Sequence, residues 1–319
     1  MKNYLIILII ASACTITGYR DSTVVERERP EISPYAVSPE IPPTITFFGK
    51  EYDFRRYNMR EGIDRELTSM TYQHSMTMLA FKRANRWFPV IEPILKSHGI
   101  PDDFKYLATI ESTLDPKIVS PAKAVGMWQL LESTGRSYGL TITATVDERR
   151  NVVRSTEAAC KYLREAYTKY GDWLTVAVSY NSGMGRMNEQ KALQGEESVF
   201  DMYFVEETTR YPYRMFAAKL IFENPLKYGF KFKAADLYAP LDCDEVTVDS
   251  DIADLPGFAH HHGITYFDLK FCNMWLKDSK LITGGKKFTV LIPKKNSLYY
   301  NKPNSYVHNP DWVINQQSW

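Results

Sequence analysis

Apolar positions fall into two registers along this chain, one helical and one extended. With a helix starting near Pro101, Phe104, Leu107, Ala108, Glu111 and Leu114 fall at i, i+3, i+4, i+7 and i+10, one face of a 3.6-residue period that runs through "YLATIESTL". An acid therefore stands inside an apolar stripe, and Glu111 is expected to point inward. Burial disfavours the charged carboxylate, so the group is either tied up by partners or held partly protonated.

Other segments share the helical period. In "NVVRSTEAACKYLREAYTKYGDW", Val152, Thr156, Ala159, Leu163, Ala166 and Tyr170 recur at alternating steps of four and three, and Gly171 ends the run. Asp172 suits the cap of a following helix carrying Trp173, Val176, Ala177 and Tyr180. "LTSMTYQHSMTMLAFKRANRWF" has one long apolar stripe, and Pro89 and Pro93 then predict a kink or a helix restart. In "SPAKAVGMWQLLESTGRSYGL", Ser120 and Pro121 suit a cap and first turn, Gly139 suits a stop, and Met127, Leu130, Leu131, Thr134 and Tyr138 share a face. A further helix is expected from about Pro212 to Phe222, closed by Asn224 and Pro225. Residues 46–228 thus read as one all-α domain.

The period changes in the tail, residues 229–319. "DEVTV" and "KKFTVLIP" read as short strands, with "SDIADLPGFAHHHG" and "TYFDLKFCNMWL" as short helices between them. The order is strand, helix, helix, strand. At the other end, "MKNYLIILIIASAC" pairs Lys2 with the apolar run Leu5 to Ile10 and then small residues, the layout of a secretory leader too short to span a bilayer. Ala11, Ser12, Ala13 and Cys14 also resemble a bacterial lipobox, in which Cys14 would be lipidated; the competing reading is an ordinary cleaved leader with an incidental cysteine. Residues 15–45, with "RERPEISPYAVSPEIPP", suit an extended tether.

With 319 residues, 44% apolar and 13% aromatic, the chain has ample material for a packed core. A formal charge of +1 gives no overall electrostatic case for nucleic acid. Cys160, Cys243 and Cys272 are an odd set without metal-ligand spacing, and Cys160 reads as a small buried residue. His260, His261 and His262 are adjacent, so they do not share a helix face, and no Cys or carboxylate cluster supports a metal there. No phosphate loop and no Ser-His-Asp order is present.

Four motifs, "IES" at 110–112, "GMWQ" at 126–129, "SYNSG" at 179–183 and "TRYPY" at 209–213, stand in an order and spacing that resembles the soluble-lytic-transglycosylase (SLT) domain family. The resemblance is nearest to its membrane-bound lytic murein transglycosylase D type, and "KRANRWFPVIEPILKSHGIPDDFKYLATIES" is an especially specific run. Ser179 stands where the family usually has alanine, and Pro212 where it more often has valine. The tail resembles LysM, a small glycan-binding module.

The resemblance implies a mainly α, lysozyme-like fold of the goose-type kind, with a small α+β module after it. It implies cleavage of the bond between N-acetylmuramic acid and N-acetylglucosamine in peptidoglycan, leaving 1,6-anhydro ends, without metal or organic cofactor. Glu111 would protonate the departing oxygen and then take the proton of the muramic C6 hydroxyl. Ser112, Gly126, Met127, Trp128, Gln129, Tyr180, Asn181 and Tyr211 would line the substrate site, with Tyr180 hydrogen-bonded to the glutamate. The blander readings make Gly126 a turn, Met127 and Trp128 core, and Asn181 a helix stop. Most glycosidases use two carboxyl groups. The sequence marks no second one: Asp115 reads as a helix-end residue and Glu132 falls off the apolar stripe, but the fold could bring Asp147 or Glu148 close, so a hydrolysing muramidase stays open beside a catalytically weak wall-binding protein. The partners expected are peptidoglycan glycan strands and, through Cys14, a membrane on the periplasmic side of the envelope, with the outer membrane favoured.

Overall fold

A computed structural model describes residues 36–299 and 306–314. The leader, Cys14 and the tether up to residue 35 lie outside the described residues. The described chain is mainly α. It opens on an antiparallel hairpin, β1 (Thr44–Phe47) and β2 (Lys50–Asp53), and continues through α1 (Tyr57–Tyr72), α2 (His74–Ser97), α3 (Phe104–Ser112) and α4 (Glu132–Ser137). Then come α5 (Val152–Tyr170), α6 (Trp173–Ser182), α7 (Met184–Gln194) and α8 (Glu206–Glu223). The tail holds β3 (Cys243–Val248), α9 (Leu255–His261), α10 (Tyr266–Cys272) and β4 (Phe288–Pro293).

The hairpin is a finding without a forecast. Its two-residue turn, Phe48 and Gly49, has φ of 50° and 75°, the double left-handed geometry that matches strand twist but normally draws Asn-Gly. Phe48 is held there by tertiary contacts: its ring stacks on Phe104 at 4.5 Å and its N–H donates to the Asp103 carboxylate at 2.7 Å.

Helix α2 corrects an expectation. Neither Pro89 nor Pro93 interrupts it, and it runs unbroken through both. The buried row is Phe81, Ala84, Phe88, Ile91 and Leu95, while Pro89 is only half-buried and Pro93 exposed. Spaced four apart on the side away from the core, the prolines lose their hydrogen bonds where water can replace them, and packing of the opposite face keeps the helix whole. The break in the long stripe comes earlier, at Gln73, whose ψ of 56° separates α1 from α2.

A second correction concerns residues 120–131, expected as the first half of a helix. The chain there folds back on itself through bridges Val119 to Val125 and Val125 to Leu130, with left-handed Lys123, Gly126 and Gln129. Only α4 is helical, and Leu131 is exposed. Further on, α8 begins at Glu206, well before Pro212, which lies buried within it.

The main core packs α2, α3, α5, α6 and α8 around stacked Phe81 and Phe222, 4.1 Å apart. Trp312, from the far end of the described chain, returns to this core and donates its indole N–H to the Phe222 carbonyl at 2.8 Å. Cys160 is fully buried in it, as expected. The tail forms the expected order of strand, helix, helix, strand, with β3 and β4 antiparallel from Cys243↔Pro293 to Val248↔Phe288. Its own small core gathers Val248, Leu255, Leu269, Trp275 and Val290, joined by Val146 from the helical part.

One buried amide locks this tail. Asn273, with no exposed surface, donates to the carbonyls of Leu269 (2.9 Å) and Leu291 (2.7 Å), and accepts from the Leu291 N–H (2.8 Å). It thereby ends α10 and pairs with β4 as a strand residue would. Asn273→Ala is expected to destabilise the protein by about 2–3 kcal/mol, since it leaves backbone groups without partners. Urea denaturation checks this, and a change under about 0.5 kcal/mol would show the amide to be dispensable.

Candidate active site

Helix α3 is short because Thr113 and Leu114, at φ of 52° and 56°, turn out of it directly after Ser112. Phe104, Leu107, Ala108 and Leu114 are fully buried, so the stripe exists as forecast and carries Glu111 inward with it. Glu111 keeps some exposed surface, yet its carboxyl is largely withdrawn from water. Burial raises its pKa above the usual carboxylate range and dominates over three other influences. The hydrogen bond from Tyr211 and the charge of Arg214 pull the other way, and the charge of Glu207 adds to the rise.

Helix α8 supplies the facing wall. The Tyr211 hydroxyl donates to Glu111 Oε1 at 2.5 Å. One turn on, Arg214 donates to the Ile110 carbonyl at 3.0 Å, which places a cation at the C-terminal end of α3. Arg210 forms a two-pronged pair with Glu66 of α1, at 2.6 and 3.1 Å, and Glu66 is almost wholly buried. Glu66, Arg210 and Arg214 border a cleft of about 660 Å³ between α1, α2, α3 and α8, which runs past Ile110 and Thr113 on either side of the Glu111–Ser112 pair.

The expected Tyr180 bond to the glutamate is not the one formed. Tyr180 donates to the Trp128 carbonyl at 2.6 Å, while Tyr211 takes the glutamate. Tyr180 is still near enough for the Glu111 charge to add to the rise in its pKa, which burial dominates. Ser112 makes the matching contact one residue back, donating to the Met127 carbonyl at 2.9 Å. Together Ser112 and Tyr180 hang the "GMWQ" loop on α3 and α6.

The loop's own side chains face inward. Met127 and Trp128 have no exposed surface, and the Trp128 indole N–H donates to Thr156 Oγ1 at 2.8 Å. Gly126 has φ of 85°, and a Cβ there would stand 2.0 Å from the Arg149 carbonyl oxygen, so chain packing demands the glycine. Gln129 donates to the Gly126 carbonyl at 2.8 Å, closing the loop. Asn181, near the end of α6, accepts from Thr208 Oγ1 at 2.9 Å.

The other carboxylates are committed elsewhere. Asp115 pairs with Arg83 at 3.0 Å, as a helix-end residue. Asp147 is buried against Arg149, Glu148 accepts from the Thr141 N–H, and Glu132 is an exposed partner of Arg136. Among the described residues no group of three His, Cys, Asp or Glu is arranged to hold a metal ion. Sequence reasoning missed Arg214, Glu207, Thr208 and the Glu66–Arg210 pair. Arg210 lay inside the quoted "TRYPY", and Arg214 four residues on shares its helix face, which is the signal that was available.

Residues 89–202 match the family described as Transglycosylase SLT domain, and residues 244–296 the Soluble lytic transglycosylase C-terminal LysM-like domain. The chain carries an SLT domain followed by a LysM-like one. It is 32% identical over 244 residues to membrane-bound lytic murein transglycosylase D of Escherichia coli (strain K12), covering 75% of this chain and 52% of that protein. It is 25% identical over 138 residues to membrane-bound lytic murein transglycosylase F of Alcanivorax borkumensis, covering 40% of this chain and 27% of that one. The chain thus spans about half the length of the transglycosylase D relatives. Among solved structures, the 70 kDa soluble lytic transglycosylase of Escherichia coli aligns with 18% identity and a TM-score of 0.39, over 44% of this chain and 24% of that one.

The electrostatics make a signed prediction. Because burial raises the Glu111 pKa, its contribution to stability is fully present below the unfolded value and is lost as pH rises through the folded one. Tyr211→Phe removes the donor that favours the carboxylate, so the Glu111 pKa should rise further. Carboxyl carbon NMR titration, with Glu111→Gln to assign the signal, reads this directly. A downward shift would overturn the stated balance.

Proposed function

We propose that this chain is a peptidoglycan lytic transglycosylase that cuts the bond between N-acetylmuramic acid and N-acetylglucosamine, forms 1,6-anhydro-muramic ends, and serves cell-wall remodelling. The observation that carries the reading is a single desolvated carboxyl, Glu111, with raised pKa and a tyrosine hydroxyl on one oxygen. A raised pKa keeps the acid protonated nearer neutral pH, ready to donate to the departing glycosidic oxygen. The carboxylate left behind is steadied by the Tyr211 hydroxyl and the Arg214 charge. It then removes the proton of the muramic C6 hydroxyl as that oxygen closes on C1, so Glu111 regains its proton and no water enters. One carboxyl serves both steps.

A hydrolysing enzyme of the two-carboxyl kind needs a second group to activate water. Asp115, Asp147 and Glu148 are held by arginines or backbone. Glu207, the carboxylate that acts on Glu111, is exposed in the first turn of α8. In this reading the substrate occupies the cleft bordered by Arg210 and Arg214, and Asn181 and Gln129 meet its polar substituents. Ser112, Gly126, Met127, Trp128 and Tyr180 hold the wall of the site in shape.

The domain reading follows the same lines: residues 1–14 a lipoprotein leader, 15–45 a tether, 46–228 the catalytic domain and 229–319 a LysM-like glycan-binding region. The site of action is the periplasmic face of the envelope, with Cys14 lipidated and the outer membrane as anchor. Among the described residues no helix is long and apolar enough to cross a membrane. Cys14→Ser should leave the membrane fraction or persist as an uncleaved precursor; membrane recovery at the wild-type mature mass would sink the lipid anchor.

Glu111→Gln keeps shape and reach but removes the transferable proton. Release of anhydro-muropeptides from purified peptidoglycan, followed by mass spectrometry, should fall about a hundredfold to ten-thousandfold while pull-down on insoluble peptidoglycan persists. Reducing ends in place of anhydro ends from the wild type would assign a muramidase, and near-normal release by the folded variant would remove Glu111 from the chemistry.

A further inference from the structure

Cys243 and Cys272 were unassigned in the sequence, and they meet in the fold. Their Sγ atoms lie 4.0 Å apart although the residues are 29 positions apart in sequence. Each is anchored to the same short piece of β4. Cys243 opens β3 in register with Pro293, while Cys272 closes α10 directly before Asn273, whose side chain grips Leu291. Two residues of one strand therefore fix both backbones, and the thiols face each other across them.

We propose that Cys243 and Cys272 are a redox-active pair that closes to a disulfide, clipping the first strand of the LysM-like tail to its second helix. The sulfurs must approach from 4.0 Å to the bonded separation of about 2 Å, a shift within reach of side-chain rotation and small backbone adjustment. Both residues are half-buried, and they border a cavity of about 160 Å³ at the seam between α2, the start of α5 and the tail, which gives a small oxidant a way in. The remaining described cysteine, Cys160, is fully buried in the main core and takes no part.

The oxidant is another disulfide, of a small thiol or of a dithiol oxidoreductase. The Cys243 thiolate attacks one of its sulfurs and expels the other as a thiolate, which takes up the proton that Cys243 gave up and becomes a thiol. The Cys272 thiolate then attacks the Cys243 sulfur of the mixed disulfide and expels the second thiol in the same way. Two cysteine thiols are oxidised and one external disulfide is reduced to two thiols. Contact with Cys272 holds the Cys243 thiol below its ordinary range, which suits it to the first attack. Such a bond persists in an oxidising compartment, in keeping with the export reading of residues 1–14, but the test is made on purified protein and is independent of location.

The full chain is equilibrated with oxidised glutathione, alkylated under denaturing conditions and mapped by non-reducing peptide mass spectrometry. The expected result is one intramolecular pair joining the peptides of Cys243 and Cys272, lighter by two hydrogens than their sum, with Cys160 alkylated. Oxidation should raise the melting midpoint of the wild type by on the order of 5 °C, and Cys243→Ser and Cys272→Ser, folded by circular dichroism, should show neither linkage nor shift. Full alkylation of both thiols after oxidation, a stable glutathione adduct on Cys243, or linkage only between molecules would each overturn the proposal.

Discussion

Keeping one carboxyl out of water is the constraint on which this architecture turns. A short α3 with Phe104, Leu107, Ala108 and Leu114 fully buried carries Glu111 inward on the same face and leaves it only partly exposed. The partners come from α8, which brings Tyr211 to the carboxyl and Arg214 to the end of the same helix. Hydrogen bond and nearby cation both favour the charged form, yet burial outweighs them, and the pKa stays raised. A site with the opposite balance would hold a carboxylate, useful as a salt bridge but not as an acid. The neighbouring Glu66–Arg210 pair is built differently: there a nearly buried glutamate accepts two guanidinium hydrogen bonds.

Around that carboxyl, motif residues divide by task in a way their adjacency hides. "GMWQ" reads as a run of cleft residues, but its two largest side chains, Met127 and Trp128, face the core. Ser112 and Tyr180 donate to successive carbonyls of the loop, and Gly126 is required because the Arg149 backbone occupies the space of a side chain. The two tyrosines thus exchange roles: the later one touches the acid and the earlier one holds the loop. Both phenols are buried and their pKa values rise well above normal, so each remains a donor across the physiological range.

Local periodicity made the inward Glu111, α5, α6 and the strand, helix, helix, strand order of the tail legible, because each depends on residues within a few turns of one another. Failures came where distant contacts decide. Phe48 occupies a left-handed turn because Asp103 and Phe104 hold it, and neither is near it in sequence. Pro89 and Pro93 carry a strong local instruction to break α2, overridden by the fully buried opposite face. Residues 120–131 have a helical spacing of apolar positions, yet three left-handed residues, one of them the glycine pressed on Arg149, fold them into a loop. At the site, Tyr180 and Tyr211 were both expected beside the glutamate's cleft, but which reaches the carboxyl depends on how α6 and α8 lie against α3, and no spacing encodes that.

The tail is more than an appended module, because the chain after β4 comes back to the helical core. Trp312 packs edge-on against Phe81 at 5.3 Å and Phe222 at 5.7 Å, and its indole is tied to the last turn of α8, the helix that carries Tyr211. Asn85 of α2 accepts from the His308 N–H and donates to the carbonyls of Tyr238 and Tyr306, so the segments before and after the small sheet are gathered on one buried amide. Val146 enters the tail's core, and its neighbour Asp147 donates its backbone N–H to the Trp275 carbonyl of the tail at 2.8 Å. These ties centre on buried side chains, Asn85, Val146 and Trp312, where an unmatched donor or acceptor is expensive, so the small sheet is held at a set position relative to α2 and α8 and does not swing on a linker. The geometry that surrounds Glu111 and the geometry of the tail are therefore parts of one packing problem, and a change in the seam between them reaches the helix that bears Tyr211.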